Sequence, residues 1–398
     1  MKDLEIRIRK DKGEEVLSCP VGTQAESLVS HFGVLPGPLG AVRANNEILP
    51  LSTRLEVNTV LEPVLLDSHD GVAIYRRSLA FLLAVAARGL FPERDLYVGH
   101  SLGHGYYYPI TEGKQLEPEI IRDLEAEMRK LVKEDLPISY RYMAYAEALE
   151  RFRENRQNDT ALLLDDRSES RVLINECKEF VDLYIAPLAP RTGLLDAFEL
   201  MMYQDGFLLR FPASGQGKKI EPFEDSPKIF AVYNEYKKWG RIVGVHAVGH
   251  LNTMISDRTI REYIRIAEAF QEKKLAEIAD RIYAKKETVR TILIAGPSSS
   301  GKTTTAKRLS IALKVMGIEP IAISLDDYYI GTDKTPLDEN GKPDFECLEA
   351  LDVPFLNEQL LTLLAGGEVT LPVFDFKTGR RRETGGKTIR LGRRTMLV

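Results

Sequence analysis

The chain opens with apolar and charged residues in strict alternation, Leu4-Glu-Ile-Arg-Ile-Arg9, the period of a half-buried strand. Thr23 followed by Glu26 has the spacing of a capping box and predicts a short helix through His31. Short strands are predicted at 40–43, 47–49 and 59–64, so residues 1–65 run as hairpin, helix and further strands, the order of a β-grasp. Beyond Ser68 the pattern is mixed, with helices predicted at 72–90, 117–134, 140–157 and 227–239. Apolar strands are predicted at 171–174, 180–184 and 206–210. Ile260, Ile264, Ala267, Phe270, Leu275, Ile278 and Ile282 then recur at helical intervals, with Ser256-Asp257 placed to cap the helix. One apolar stripe on a helix reaching about Lys286 fits packing across a domain seam, and equally packing on its own domain.

From residue 290 the two periods alternate. Ile292, Leu293, Ile294 and Ala295 form a continuous apolar run, which predicts a strand buried on both faces. A helix follows at 303–316, with Ala306, Leu309, Ala312, Leu313 and Met316 on one side. Next come a strand at 320–325, a helix at 354–365, a strand at 368–373 and hairpin-like strands at 387–390 and 395–398. Alternating β and α elements predict a doubly wound parallel sheet. The expected fold class is therefore α/β and α+β multidomain. Its parts are a β-grasp domain at 1–65, an α+β domain at 66–250, a connecting helix at 251–287 and an α/β domain at 288–398. The last is short for a nucleotide-binding α/β domain and stops within what reads as the start of a buried strand, so it is expected to be incomplete.

Composition adds exclusions. With 44% hydrophobic and 28% charged residues, the 398-residue chain has an ordinary globular balance. A net charge of −5 speaks against a nucleic-acid binder that works through overall positive charge, though not against a local basic patch. The three cysteines, Cys19, Cys177 and Cys347, are scattered and offer neither a disulfide framework nor zinc-finger spacing, which predicts a reducing cytoplasmic setting. Charges occupy the place where a signal peptide needs an apolar core, and no apolar run approaches membrane-spanning length.

The chemistry concentrates at Gly296-Pro-Ser298-Ser299-Ser300-Gly301-Lys302-Thr303-Thr304, which has the G-x-x-x-x-G-K-T pattern of a phosphate-binding loop. Set between a predicted strand and helix, such a loop aims backbone N–H groups and the positive end of a helix dipole at one point. Lys302 would reach the outer phosphates of ATP, and the Thr303 hydroxyl would hold Mg²⁺. Asp326 ends the next predicted strand, expected to neighbour the loop strand, where ligands of open parallel sheets bind. A carboxylate there can take a proton from an acceptor hydroxyl. The plainer alternative is that Asp326 and Asp327 only terminate the strand and start a turn.

The ordered set Gly296–Thr303, Ser324–Tyr329, Asp344–Asp352 and Leu371-Pro-Val-Phe-Asp-Phe376 resembles the uridine kinase and phosphoribulokinase family. The resemblance implies Asp326 as catalytic base beside Lys302, with Tyr329, Glu346 and Phe374 lining a nucleoside pocket. Two positions depart from the family. A usual tyrosine is Phe374, and a base-reading histidine falls on Gly379. Both changes remove a hydrogen-bond partner for a pyrimidine, which weakens the case for uridine itself.

Residues 1–65 resemble a TGS domain, and 68–200 resemble the second N-terminal domain of threonyl-tRNA synthetases through Asp70-Gly71, Ser78, Val98-Gly99 and Gly105-Tyr-Tyr-Tyr108. That synthetase domain edits mischarged tRNA with three histidines and a cysteine. The matching positions here are Arg77, Phe81, Tyr184 and Leu188, which implies that editing is lost. Two other His-x-x-x-His pairs, His100/His104 and His246/His250, could bind zinc if helical. Nearby glycines argue against a helix at each pair, and His100 and His104 are expected to line the cleft of the synthetase-like domain instead. The basic run from Lys377 to Arg394 reads as a solvated hairpin before it reads as an RNA grip.

These features point to an ATP-dependent kinase acting on a nucleoside-like hydroxyl, with ATP and Mg²⁺ as cofactors. The alternative is a nucleotide-regulated RNA- or tRNA-binding protein. A GTPase ranks below both, because no N-K-x-D guanine-reading motif is present.

Overall fold

The alternation at the start of the chain becomes strand β1 (Leu4–Arg9), with Leu4, Ile6 and Ile8 buried and the charges outside. The computed structural model describes residues 3–398 except 11–12, 95, 111–116, 166, 168, 214–216, 298, 339–340 and 383. Among these, two compact units are found, Met1–Thr259 and Ile260–Val398.

In the first unit β1 joins β2 (Glu14–Cys19), β3 (Leu39–Ala44), β4 (Glu47–Leu49) and β5 (Thr59–Leu65) in a mixed sheet of order β2-β1-β5-β3-β4. The central pair β1 and β5 is parallel, Ile6 lying opposite Thr59. The predicted capping box does not form. Ala25–Phe32 is a 3-10 helix, and the Thr23 hydroxyl donates to the Pro20 carbonyl. The N–H groups of Ala25 and Glu26 already donate to Thr53 and Leu51, so a cap has little left to satisfy.

Helix α1 (His69–Leu90) is capped by Ser68, whose hydroxyl accepts from the Gly71 N–H at 3.1 Å. It is the spine of the largest core, in which Ile74, Leu79, Leu82 and Leu83 are buried. Against it pack α2 (Pro118–Glu134) and a four-stranded antiparallel sheet of order β11-β12-β7-β6. Its strands are β6 (His100–Ser101), β7 (Gly105–Pro109), β11 (Glu199–Tyr203) and β12 (Gly206–Arg210). A second antiparallel sheet holds β8 (Ser139–Ala144), β9 (Arg171–Cys177) and β10 (Phe180–Leu183). Helices α3 (Tyr145–Glu154), α4 (Asn158–Leu164), α5 (Pro227–Ile242) and α6 (Val248–Ser256) complete the unit.

The helix predicted at 140–157 is therefore corrected. Its first turn is strand β8, held by six residue pairs with β9, and α3 begins only at Tyr145. A full ladder outweighs local helical spacing. Ser256-Asp257 likewise ends α6 rather than capping the next helix; Arg258, at φ 62°, turns the chain between them.

The second unit begins with α7 (Ile260–Ala284). Its Leu275 and Ala279 share a core with Leu309 and Leu313 of α8 (Lys302–Val315) and with Met396. Strand β13 (Glu319–Ile321) pairs in parallel with β18 (Thr395–Leu397), and Thr291 bridges Leu397 in parallel on the other side. On the opposite face Leu360 and Leu363 of α9 (Val353–Leu364) pack with Ile321, Ile323 and Leu397. The sheet is thus parallel, with α7 and α8 on one face and α9 on the other, but three predictions change. The run 292–295 extends beside β18 but forms no regular ladder beyond the single bridge at Thr291, and it is not buried on both sides. Ile292 and Ile294 face the α7–α8 core, whereas Leu293 is 85% exposed. The strand predicted at 368–373 leaves the parallel sheet, because β14 (Glu368–Thr370) pairs antiparallel with β17 (Thr388–Arg390). A small ladder of β15 (Phe374–Asp375) and β16 (Arg380–Arg381) lies between those two strands in sequence. Residues 395–398 form no hairpin but the central strand β18.

Candidate functional site

The phosphate-loop sequence sits where the parallel sheet requires it. Gly301, at φ 87° and ψ 17°, is the left-handed residue before α8, a conformation that glycine alone adopts freely. Ser299 also has positive φ, and a Cβ on Gly296 would stand 2.7 Å from the Ser300 hydroxyl. The Lys302 ammonium donates to the carbonyls of Gly296 at 2.8 Å and Pro297 at 3.0 Å, so it folds back over its own loop. Thr303 and Thr304 lie exposed in the first turn of α8, where backbone N–H groups lack helical partners. Ser298 lies outside the described residues.

Asp326 follows β13 in a 3-10 turn, Leu325–Tyr328. The strand carrying it is not the immediate neighbour of the loop strand, as expected from sequence; β18 runs between them and pairs with both. Because all three segments are parallel, the phosphate loop and Asp326 leave the same edge of the sheet. Two strand spacings, about 10 Å at the backbone, separate their points of departure. The two aspartates have different roles. Asp327 accepts the Phe374 N–H at 3.0 Å and ties the turn to β15, whereas Asp326 is exposed.

Tyr329, Glu346 and Phe374 come together as one wall. The Tyr329 ring meets Phe345 at 4.9 Å and Phe374 at 5.5 Å, both edge to face, and its hydroxyl donates to the Phe345 carbonyl. Burial pushes the Tyr329 phenol up, and the carboxylates of Asp326 and Glu346 push the same way, which places both acids beside it. Arg381 holds this wall from behind. It donates to the carbonyls of Tyr328 and Tyr329 and to Asp352, each within 2.9 Å. Apart from half-buried Arg381, the basic residues of the run lie exposed; among them Arg382 pairs with Asp375, and Arg390 donates to the Gly366 carbonyl. Gly379, where the family resemblance places a histidine, has φ 67°, and a Cβ there would meet the Thr332 hydroxyl at 2.3 Å.

The first unit holds a second site, a cavity of about 1,090 Å³ where a cleft was expected from the synthetase resemblance. Arg77, Phe81 and Leu188, three of the four positions matched to the synthetase editing residues, line it; none is a thiol or an imidazole. The fourth, Tyr184, packs on Tyr140 at 5.5 Å. His100 lines the cavity stacked on Tyr233 at 4.8 Å, and its Nε2 is buried without a partner; His104 is not among the lining residues. Burial, followed by the charge of Lys237, holds the His100 imidazole below its ordinary value. Asp182 also faces the cavity. Burial pushes its carboxyl up to about 6, against the bond from the Leu183 N–H. Lys237, Lys238 and Arg241 of α5 add positive charge, while Asp159, His246 and His250 stand together on another part of the wall. Only the His-x-x-x-His spacing of the last two was visible in sequence; Asp159 is far upstream.

Comparison with known proteins gives partial matches. The chain is 33% identical over 160 residues to the threonine–tRNA ligase of Maridesulfovibrio salexigens, covering 40% of this chain and 25% of that enzyme. It is 33% identical over 162 residues to that of Symbiobacterium thermophilum, covering 40% and 25%. Against threonine–tRNA ligase 2 of Bacillus subtilis the identity is 35% over 162 residues, with the same coverage. The chain thus spans about a quarter of the length of the curated relatives it matches, through its N-terminal region. A solved structure of a possible uridine kinase from Bacillus stearothermophilus is 28% identical and covers 31% of this chain and 68% of that one, at a TM-score of 0.27. No family model matches the chain. Among the described residues, no helix is long and apolar enough to cross a membrane.

Proposed function

We propose that residues 260–398 belong to an ATP-dependent phosphotransferase that phosphorylates a hydroxyl of a nucleoside-like acceptor. The observation carrying this reading is the common sheet edge from which the phosphate loop and the Asp326 turn both depart. The loop fits a triphosphate. Its left-handed Gly301 opens the helix N-terminus, and its lysine rests on two loop carbonyls that an anion can replace. ATP with Mg²⁺ would supply the phosphoryl group and neutralise part of its charge. The chain's own residues then position the reaction. Lys302 and the first-turn amides would hold the phosphates, the Thr303 hydroxyl would hold Mg²⁺, and Asp326 would orient the acceptor hydroxyl and take its proton. Tyr329 and Phe345, both half-buried, offer ring surface to a planar base, with the buried Phe374 packed against Tyr329, and Glu346 can accept a hydrogen bond from a ribose hydroxyl.

Two variants test it. Lys302→Ala removes an exposed side chain and should abolish ATP turnover while leaving the melting temperature unchanged. Asp326→Asn should retain ATP binding by calorimetry and lose about 10²- to 10⁴-fold in transfer. Undiminished turnover by Lys302→Ala would refute the assignment.

A second reading rests on the synthetase relatives and on the basic residues of the cavity: the first unit would bind tRNA or another RNA. Filter binding across a salt series measures it, since each phosphate contact contributes a slope of about −0.7 to −0.9 in log–log form. No retention at low salt would refute it.

A further inference from the structure

We propose that Asp159, His246 and His250 form a binding site for a first-row divalent transition cation of the zinc class, on the wall of the cavity in the first unit. One ligand-type atom from each of the three lies within 4.8 Å of the others. His246 Nε2 stands 3.5 Å from a carboxylate oxygen of Asp159, and the two imidazole rings are 4.3 Å apart between centroids. A tetrahedral ion with bonds of about 2.0–2.1 Å needs donors about 3.4 Å apart. The widest separation therefore has to close by at most about 1.4 Å, which side-chain rotation supplies without moving a helix.

The backbone explains why the three meet. Helix α6 rests on α4 through Gly249, the residue just before His250. A Cβ at Gly249 would come within 2.9 Å of the Leu162 side chain and 3.0 Å of the Leu162 and Leu163 backbone. Any larger residue would prise the helices apart. With glycine there, α6 approaches closely enough to set His246 and His250 against Asp159, in the first turn of α4. Read in sequence, Gly249 weakens a helical His pair; in the structure it is what lets the pair reach its third ligand.

Two further observations favour an ion over a simple imidazole–carboxylate pair. The Nδ1 of His250 is buried with no hydrogen-bond partner, so the cluster is not satisfied by its own members. All three residues also line the cavity of about 1,090 Å³, so an ion held by them keeps a coordination position open to a ligand there. Two imidazoles and one carboxylate suit zinc, cobalt or nickel, whereas magnesium and calcium prefer all-oxygen sets. Three protein ligands with one open position is the arrangement of zinc ions that act on a bound molecule, as distinct from closed structural sites. Lys237, Lys238 and Arg241, elsewhere in the lining of the same cavity, give it a positive charge that suits an anionic fourth ligand.

The test uses the whole chain, stripped with a chelator and titrated with Co²⁺ in excess Mg²⁺. The expected result is one equivalent bound, with the intense visible absorption of tetrahedral cobalt, reversed by Zn²⁺ and unaffected by Mg²⁺. His246→Ala, at a residue outside the helix, and Asp159→Asn should each weaken cobalt at least tenfold. Fluorescence of Trp239, the chain's single tryptophan, reports whether each variant remains folded. Absence of the tetrahedral spectrum overturns the proposal. So does cobalt affinity that is unchanged in folded His246→Ala and Asp159→Asn proteins, which would place the ion elsewhere.

Discussion

Asp182→Asn isolates the free energy stored in one buried carboxyl. Both hydrogen bonds that Asp182 accepts, from the Leu183 N–H at 2.8 Å and the Gln157 amide at 3.3 Å, go to Oδ1. An asparagine oxygen can accept both, so the variant removes the charge and leaves these contacts. In the native state burial raises the carboxyl to about 6 from an ordinary 3.8. The native protein therefore holds its proton where the unfolded chain has released it, and stability falls as pH rises between those two values. A raised pKa of about two units corresponds to a ceiling of about 3 kcal/mol. About 1 kcal/mol is already lost at pH 4.5, so about 2 kcal/mol remains between pH 4.5 and 7.5. The variant should gain on the wild type by that amount across this range, because every other titrating group cancels in the difference. Urea denaturation followed through Trp239, which lies in the first unit, reads it without interference from the second. Parallel stability curves for the two proteins from pH 4.5 to 7.5 would refute the reasoning, and would mean that water enters the cavity freely enough to solvate Asp182.

Gly71→Ala should destabilise the first unit by about 3 kcal/mol, because the new Cβ falls 1.7 Å from the Leu65 carbonyl oxygen; the same tryptophan denaturation measures it. Arg381→Met removes hydrogen bonds to Tyr328, Tyr329 and Asp352 and should cost about 2–4 kcal/mol, read as faster hydrogen exchange in the 325–332 peptide. Gly379→His should not create a uridine site. It should instead lower stability by about 1–3 kcal/mol, because the left-handed backbone and the Thr332 hydroxyl both oppose a side chain; a thermal-shift series with and without uridine decides this.

Sequence legibility followed the range of the interactions. Helices α1 and α7 and the phosphate loop with α8 rest on backbone contacts within a few residues, and strand β1, though paired with β2 and the distant β5, carries its period in six consecutive residues, so these patterns announce them. The mistaken elements are those where a distant partner intervenes. Residues 139–144 have helical spacing but a ladder waiting in β9. The Thr23 cap is pre-empted by carbonyls of 51 and 53. The candidate kinase wall divided in the same way. Asp326, Tyr329, Glu346 and Phe374 were visible as motif residues, whereas Phe345 and the Arg381 brace were not. Glycine misled most: Gly249 and Gly379 look like helix weakening and a lost ligand, yet both are dictated by a neighbour's approach.

The order of residues was enough for the local devices: a glycine-bounded turn before a helix, amphipathic stripes and a strand period, each set by backbone geometry within one or two turns. Packing in three dimensions fixed which strand lies between the loop segment and β13, that Asp327 anchors while Asp326 stays exposed, and that Asp159 meets His246 and His250. Such juxtapositions depend on how closely helices and strands can pack, and no periodicity along the chain encodes that distance.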